Sequence, residues 1–104
     1  MTDAPPVRVE LLERRLSLVV GLSGLNAEAL KWTQLLGAIE MDVLRMEFEL
    51  DRNGASEQLV RDLHGAETGA ASIRIALSDC EERIAAAERQ VDEVDRLLAA
   101  SGRE

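Results

Sequence analysis

At 104 residues the chain holds one domain at most, and Leu, Ala, Val, Glu and Arg dominate it as they do in long-helix proteins. Its aromatic rings are Trp32 and Phe48, with no Tyr, which excludes an aromatic-rich globular core and leaves a thin aliphatic seam. The formal net charge is −8 and Lys31 is the single lysine. That balance excludes nucleic acid as an expected partner, because neutralising phosphates takes clustered Lys and Arg. It disfavours an anionic membrane surface for the same reason.

The first six residues, Met1-Thr2-Asp3-Ala4-Pro5-Pro6, read as a disordered lead. They carry neither a basic segment nor an apolar core, so no signal peptide is read. Nowhere does the chain hold the roughly 18 consecutive apolar residues of a bilayer span, so no membrane insertion is expected. One cysteine cannot make an internal disulfide. The cytoplasm is the expected compartment, with signal-less secretion left open.

A first helix is predicted over about 7–20, and Gly21-Leu22-Ser23-Gly24 interrupts it. On a 100° wheel its apolar residues, Val7, Val9, Leu11, Leu12, Leu16, Leu18, Val19, Val20 and Leu22, cover about 220°. A helix with a single partner needs little more than about 100°.

A second helix is predicted over about 25–50. Leu25, Ala29, Trp32, Leu36, Ile39, Val43, Met46 and Leu50 step by four and three, the period of a coiled-coil seam. Asp51-Arg52-Asn53-Gly54-Ala55 forms the turn, since Asn and Gly accept the left-handed conformation that ends a helix. Ser56 is placed to cap the next helix, and Glu57 suits the positive end of its dipole.

The third helix, about 56–100, resumes the ladder at Leu59, Leu63, Ala66, Ala70, Ile73, Leu77, Cys80, Ile84, Ala87, Val91, Val94 and Leu98. Ser101-Gly102-Arg103-Glu104 is a fraying tail. The chain therefore divides into a lead 1–6, a helical-hairpin domain 7–100 and a tail 101–104. The fold class is all-α, an antiparallel coiled-coil hairpin with a shorter N-terminal helix. That helix either extends the first arm or folds back into a three-helix bundle. Arms of nearly equal length, 7–50 and 56–100, favour extension, each spanning about 65 Å.

With Leu50 near Ser56, Leu25 falls opposite Glu81, Val7 near Ala99 and Gly37 opposite Gly69. Interior glycines each cost about 1 kcal/mol against alanine, and close helix approach is the expected reason for them.

The middle helix has a second apolar stripe. Leu30, Gly37 and Leu44 share one heptad position, and Met41 and Phe48 share the next. A stripe of this kind is a liability in a monomer. The expected interface residues are Leu11, Leu18, Leu22, Leu30, Trp32, Met41, Leu44 and Phe48. Trp32 lies on a seam position, where core packing is its simplest role. It is also the bulkiest anchor.

Little in the chain speaks of chemistry. His64 is the single histidine. In the setting Leu63-His64-Gly65-Ala66-Glu67 it is similar to the histidine of small helical phosphotransfer domains. Those place a Lys-Gly pair shortly after the histidine, whereas this chain has Glu67-Thr68, and an acid there repels a phosphoryl group. A di-iron bundle needs paired Glu-x-x-His motifs, and only a reversed His64-x-x-Glu67 occurs. Cys80 sits on a seam rung as a small hydrophobe. No phosphate-binding or nucleophile-elbow motif occurs. No catalytic residue, metal, cofactor or small-molecule substrate is expected, and the protein is read as a non-enzyme.

In length, acidity and predicted architecture the chain is similar to small secreted hairpin proteins with a Trp-x-Gly turn. Here the turn holds Asn53-Gly54-Ala55, and Trp32 is mid-helix. In size and charge it also resembles the small acidic chaperones of flagellar and type III secretion. The function expected is that of a small acidic adaptor, assembly subunit or chaperone that buries an apolar helix face against itself or a protein partner. The alternative is an enzyme-linked role, either histidine phosphotransfer through His64 or a small regulatory subunit of a larger enzyme.

Overall fold

The computed structural model describes residues 7–102; the expected disordered lead 1–6 and the last two residues of the tail lie outside them. Two α-helices account for nearly all of the described chain, α1 over Arg8–Asn53 and α2 over Glu57–Ser101. They pack against each other as a hairpin, and no strand occurs among the described residues.

The expected break at 21–24 does not exist. Helix α1 passes through Gly21 and Gly24 without interruption, and neither glycine has a positive φ. A separate N-terminal helix, and with it the folded-back three-helix bundle, is thereby replaced by a single long first arm. The reason is visible in burial. Leu11, Arg15, Leu18 and Leu22 step by four, three and four into Leu25, and each of them is buried or half-buried. The seam ladder therefore runs through the glycine pair. Fully burying a leucine stabilises by roughly 1.5–3 kcal/mol, which outweighs about 1 kcal/mol for each helical glycine. The ladder was hidden at sequence level because Arg15 is a charged rung.

Every rung predicted from Leu25 to Leu50 and from Leu59 to Leu98 is buried or half-buried. The chain forms two compact units. In the first, α1 up to Ala27 packs on α2 from Glu81 onward, and Leu11 and Val94 are its most buried side chains, at 2% and 0% exposure. In the second, Glu28–Cys80, Ala70 and Cys80 are buried to the same degree.

The turn is shorter than predicted. Asp51, Arg52 and Asn53 are helical, and Gly54 ends α1 with a φ of 80°. Its amide donates to the Leu50 carbonyl at 2.9 Å, the bond of a left-handed helix terminus. Ser56 caps α2 as expected: the Leu59 amide donates to Ser56 Oγ at 3.0 Å.

Lengthening α1 to Asn53 moves the register. Arg15 meets Asp95, one helical turn beyond the Val91 that the expected register placed there. The Gly37–Gly69 apposition is also not formed. A side chain begun at Gly69 would lie 3.7 Å from Ile39 Cδ1, whereas one begun at Gly37 would meet nothing within 4 Å. Close approach between the two helices therefore does not account for Gly37.

Candidate functional site

The eight expected interface residues divide into two sets. Leu11 is buried within the chain, and Leu18, Leu22 and Trp32 are half-buried on the α1 ladder. These four belong to the packing between α1 and α2. Trp32 is held further by its own helix. Its indole N–H donates to Glu28 Oε1 at 3.5 Å, and the Lys31 ammonium lies 5.8 Å from the ring centroid. The other four face outward. Leu30 is 58% exposed, Met41 66%, Leu44 59% and Phe48 61%. They lie in the Glu28–Cys80 unit, on the side of α1 turned away from its ladder. Arg52 lies over the Phe48 ring, 5.6 Å from its centroid.

Next to Leu44 the same unit carries an open groove of about 240 Å³, lined by Glu40, Val43, Leu44, Glu67, Ala70 and Arg74. Arg74 donates to Glu40 across it at 3.3 Å. The floor is aliphatic and the rim carries both signs of charge. This groove follows from residue size: Ala66 and Ala70 are successive small rungs of α2 between the larger Leu63 and Ile73, and Val43 lines it from α1.

Besides Leu35 on α1, two exposed apolar residues were not predicted, Val60 and Ile75 on α2. Ile75 is 72% exposed and stands two positions past the Ile73 rung. An aliphatic residue off the ladder was the available signal for both. In the other unit Val9, Leu16 and Val20 are also exposed, as the wide apolar arc of the first segment implied.

Charged groups elsewhere are solvated. The Arg15 Nε–H donates to Asp95 at 2.6 Å, and this hydrogen bond, helped by the carboxylate's charge, raises the guanidinium above its ordinary pKa. Arg96 donates to Glu93 and holds that carboxyl below the usual range. His64 is exposed on α2, and Cys80 is buried on its rung. Among the described residues no three His, Cys, Asp or Glu side chains stand where they would hold a metal ion. No helix among them is long and apolar enough to cross a membrane.

The chain matches no protein-family model, no curated protein and no solved structure. Its function is therefore read from this geometry alone.

Proposed function

We propose that this protein is a non-enzymatic helical interaction protein, a small acidic adaptor, assembly subunit or chaperone. It buries the outer apolar strip of α1 against a second helical surface. The observation that carries this reading is the exposure of Leu30, Met41, Leu44 and Phe48, each more than half accessible on one helix segment. Monomeric proteins rarely leave so many large apolar side chains together in water without a use for them.

The mechanism is helix-in-groove burial. Leu44 stands at the edge of the aliphatic groove, so a docked helix meets the strip and the groove together. Acidic side chains around them keep the free protein soluble and select against partners of the same sign.

The test combines mass with surface. Sedimentation of the pure protein is expected to give either an oligomer or a monomer that binds an apolar dye. A monomer without dye-accessible apolar surface removes the proposal. Replacing Met41→Glu together with Phe48→Glu is expected to abolish association or dye binding while leaving helicity intact. Association and dye binding both unchanged in that variant also overturn it.

A further inference from the structure

Asn53 and Gly54 close α1, and side by side they form a reactive pair. The side-chain amide of an asparagine is open to attack by the backbone nitrogen of the residue that follows it. Glycine in that second place leaves the approach clear, because it has no side chain. Asn53 is exposed at the last helical position, and Gly54 follows it at a φ of 80°. The chain's other asparagine, Asn26, is also exposed and helical, but it lies well inside α1 and precedes Ala27.

We infer that Asn53 is a site of spontaneous deamidation, gated by the hydrogen bond that ends α1, and that its modification loosens the turn. The Gly54 nitrogen gives up its proton and bonds to Asn53 Cγ. The Cγ–Nδ2 bond breaks, and the amide leaves as ammonia. A succinimide ring then joins the two residues. Water opens the ring at either of its carbonyls. One opening yields an aspartate, and the other an isoaspartate, in which the main chain runs through the former side chain. The net reaction consumes water and releases ammonia, so solvent is its only co-reactant.

In the folded chain the attacking nitrogen is engaged. The Gly54 amide donates to the Leu50 carbonyl at 2.9 Å, so it points back along the helix and away from the Asn53 side chain. The ring closes only when the last turn of α1 opens. Asp51, Arg52 and Asn53 are all exposed, so that opening uncovers no buried side chain. Helix ends open far more readily than the whole fold.

The product differs from Asn53 in two ways. It carries a carboxylate at the helix end that the backbone dipole already makes negative, two positions from Asp51. The isoaspartate also lengthens the main chain ahead of Gly54, which moves the Gly54 amide off the Leu50 carbonyl. Both changes weaken the end of α1.

The experiment holds the full-length wild type at mildly alkaline pH, folded in one sample and unfolded in urea in another. Peptide mass mapping locates the lost amide, and enzymatic carboxyl methylation counts the isoaspartate. The expected result is product at Asn53 in both samples, formed about tenfold more slowly in the folded one, with Asn26 intact. Asn53→Gln is expected to remove the isoaspartate signal. Equal rates in the two samples overturn the gate. No product in the folded sample once the unfolded one has reacted to completion overturns the site, as does earlier loss at Asn26. The isoaspartate form, separated chromatographically, is expected to melt a few degrees below wild type and below Asn53→Asp, which supplies the charge alone. An isoaspartate form that melts with the wild type overturns the loosening of the turn.

Discussion

The Arg15 guanidinium donates its Nε–H to Asp95 Oδ1 at 2.6 Å, joining residues 80 positions apart. Arg15 is the one charged residue on a ladder that is otherwise uncharged, and it is half-buried on the seam while its guanidinium reaches Asp95. This pair reports the register of the unit it belongs to. Arg15→Asp is expected to lower the thermal midpoint by no more than a few degrees, since the pair is solvated. Adding Asp95→Arg is expected to restore it. A double variant less stable than the single one would show that the two side chains do not meet.

Gly21 and Gly24 are helical, and nothing obstructs a side chain at either. Gly21→Ala and Gly24→Ala are each expected to stabilise by roughly 0.5–1 kcal/mol in urea titration. Neutral or destabilising values would indicate a hinge that the continuous helix does not contain.

At the turn the sign reverses. Gly54 has a φ of 80°, a conformation that costs a side-chain-bearing residue about 1–2 kcal/mol. Gly54→Ala is expected to destabilise by about that amount, and Ser56→Ala by about 1 kcal/mol through loss of the Leu59 cap. Calorimetry of the two variants checks both, and a Gly54→Ala protein as stable as wild type would place the turn elsewhere.

Leu11 and Val94 are the buried pair of their unit. Leu11→Ala is expected to cost about 2–3 kcal/mol, from lost transfer energy and a partly collapsed cavity, and Val94→Ala somewhat less. Because Leu11 is buried within the chain, its loss should be the same at every protein concentration. A loss that grows with dilution would assign Leu11 to an intermolecular contact.

Glu93 is held below the ordinary carboxylate range first by the hydrogen bond from Arg96, with the charges of Arg96 and Arg14 adding to it against desolvation. Its folded pKa is depressed, so its contribution is present above the unfolded value of about 4.3 and fades as pH falls through the folded one. The site is open to solvent, so the effect is small. Glu93→Gln is expected to melt slightly below wild type near neutral pH, with the gap closing in acid. A gap that persists in acid would assign it to something other than ionisation.

Much of the candidate surface was legible beforehand. Leu30, Met41, Leu44 and Phe48 fall off the seam period, and period alone assigns them to the outside. Leu11, Leu18 and Leu22 are expected at an interface because the apolar arc of the first segment, about 220°, is wider than one partner needs, yet they are buried or half-buried on the ladder within the chain. Helix propensity is a weak local preference, and a seam that buries leucine on both sides of the glycine pair overrides it. Val60 and Ile75 escaped notice because α2 is otherwise one-faced.

By itself the sequence determined the all-helical hairpin, the ladder rungs, the glycine stop at 54 and the serine cap at 56. These depend on periodicity and on backbone conformations that few residues accept. Only the tertiary structure decided that α1 is one helix, that the register sits a turn further along, and that none of the described residues covers Leu30 and Leu44. Those outcomes depend on which side chains meet across the hairpin, and residues far apart in sequence settle that together.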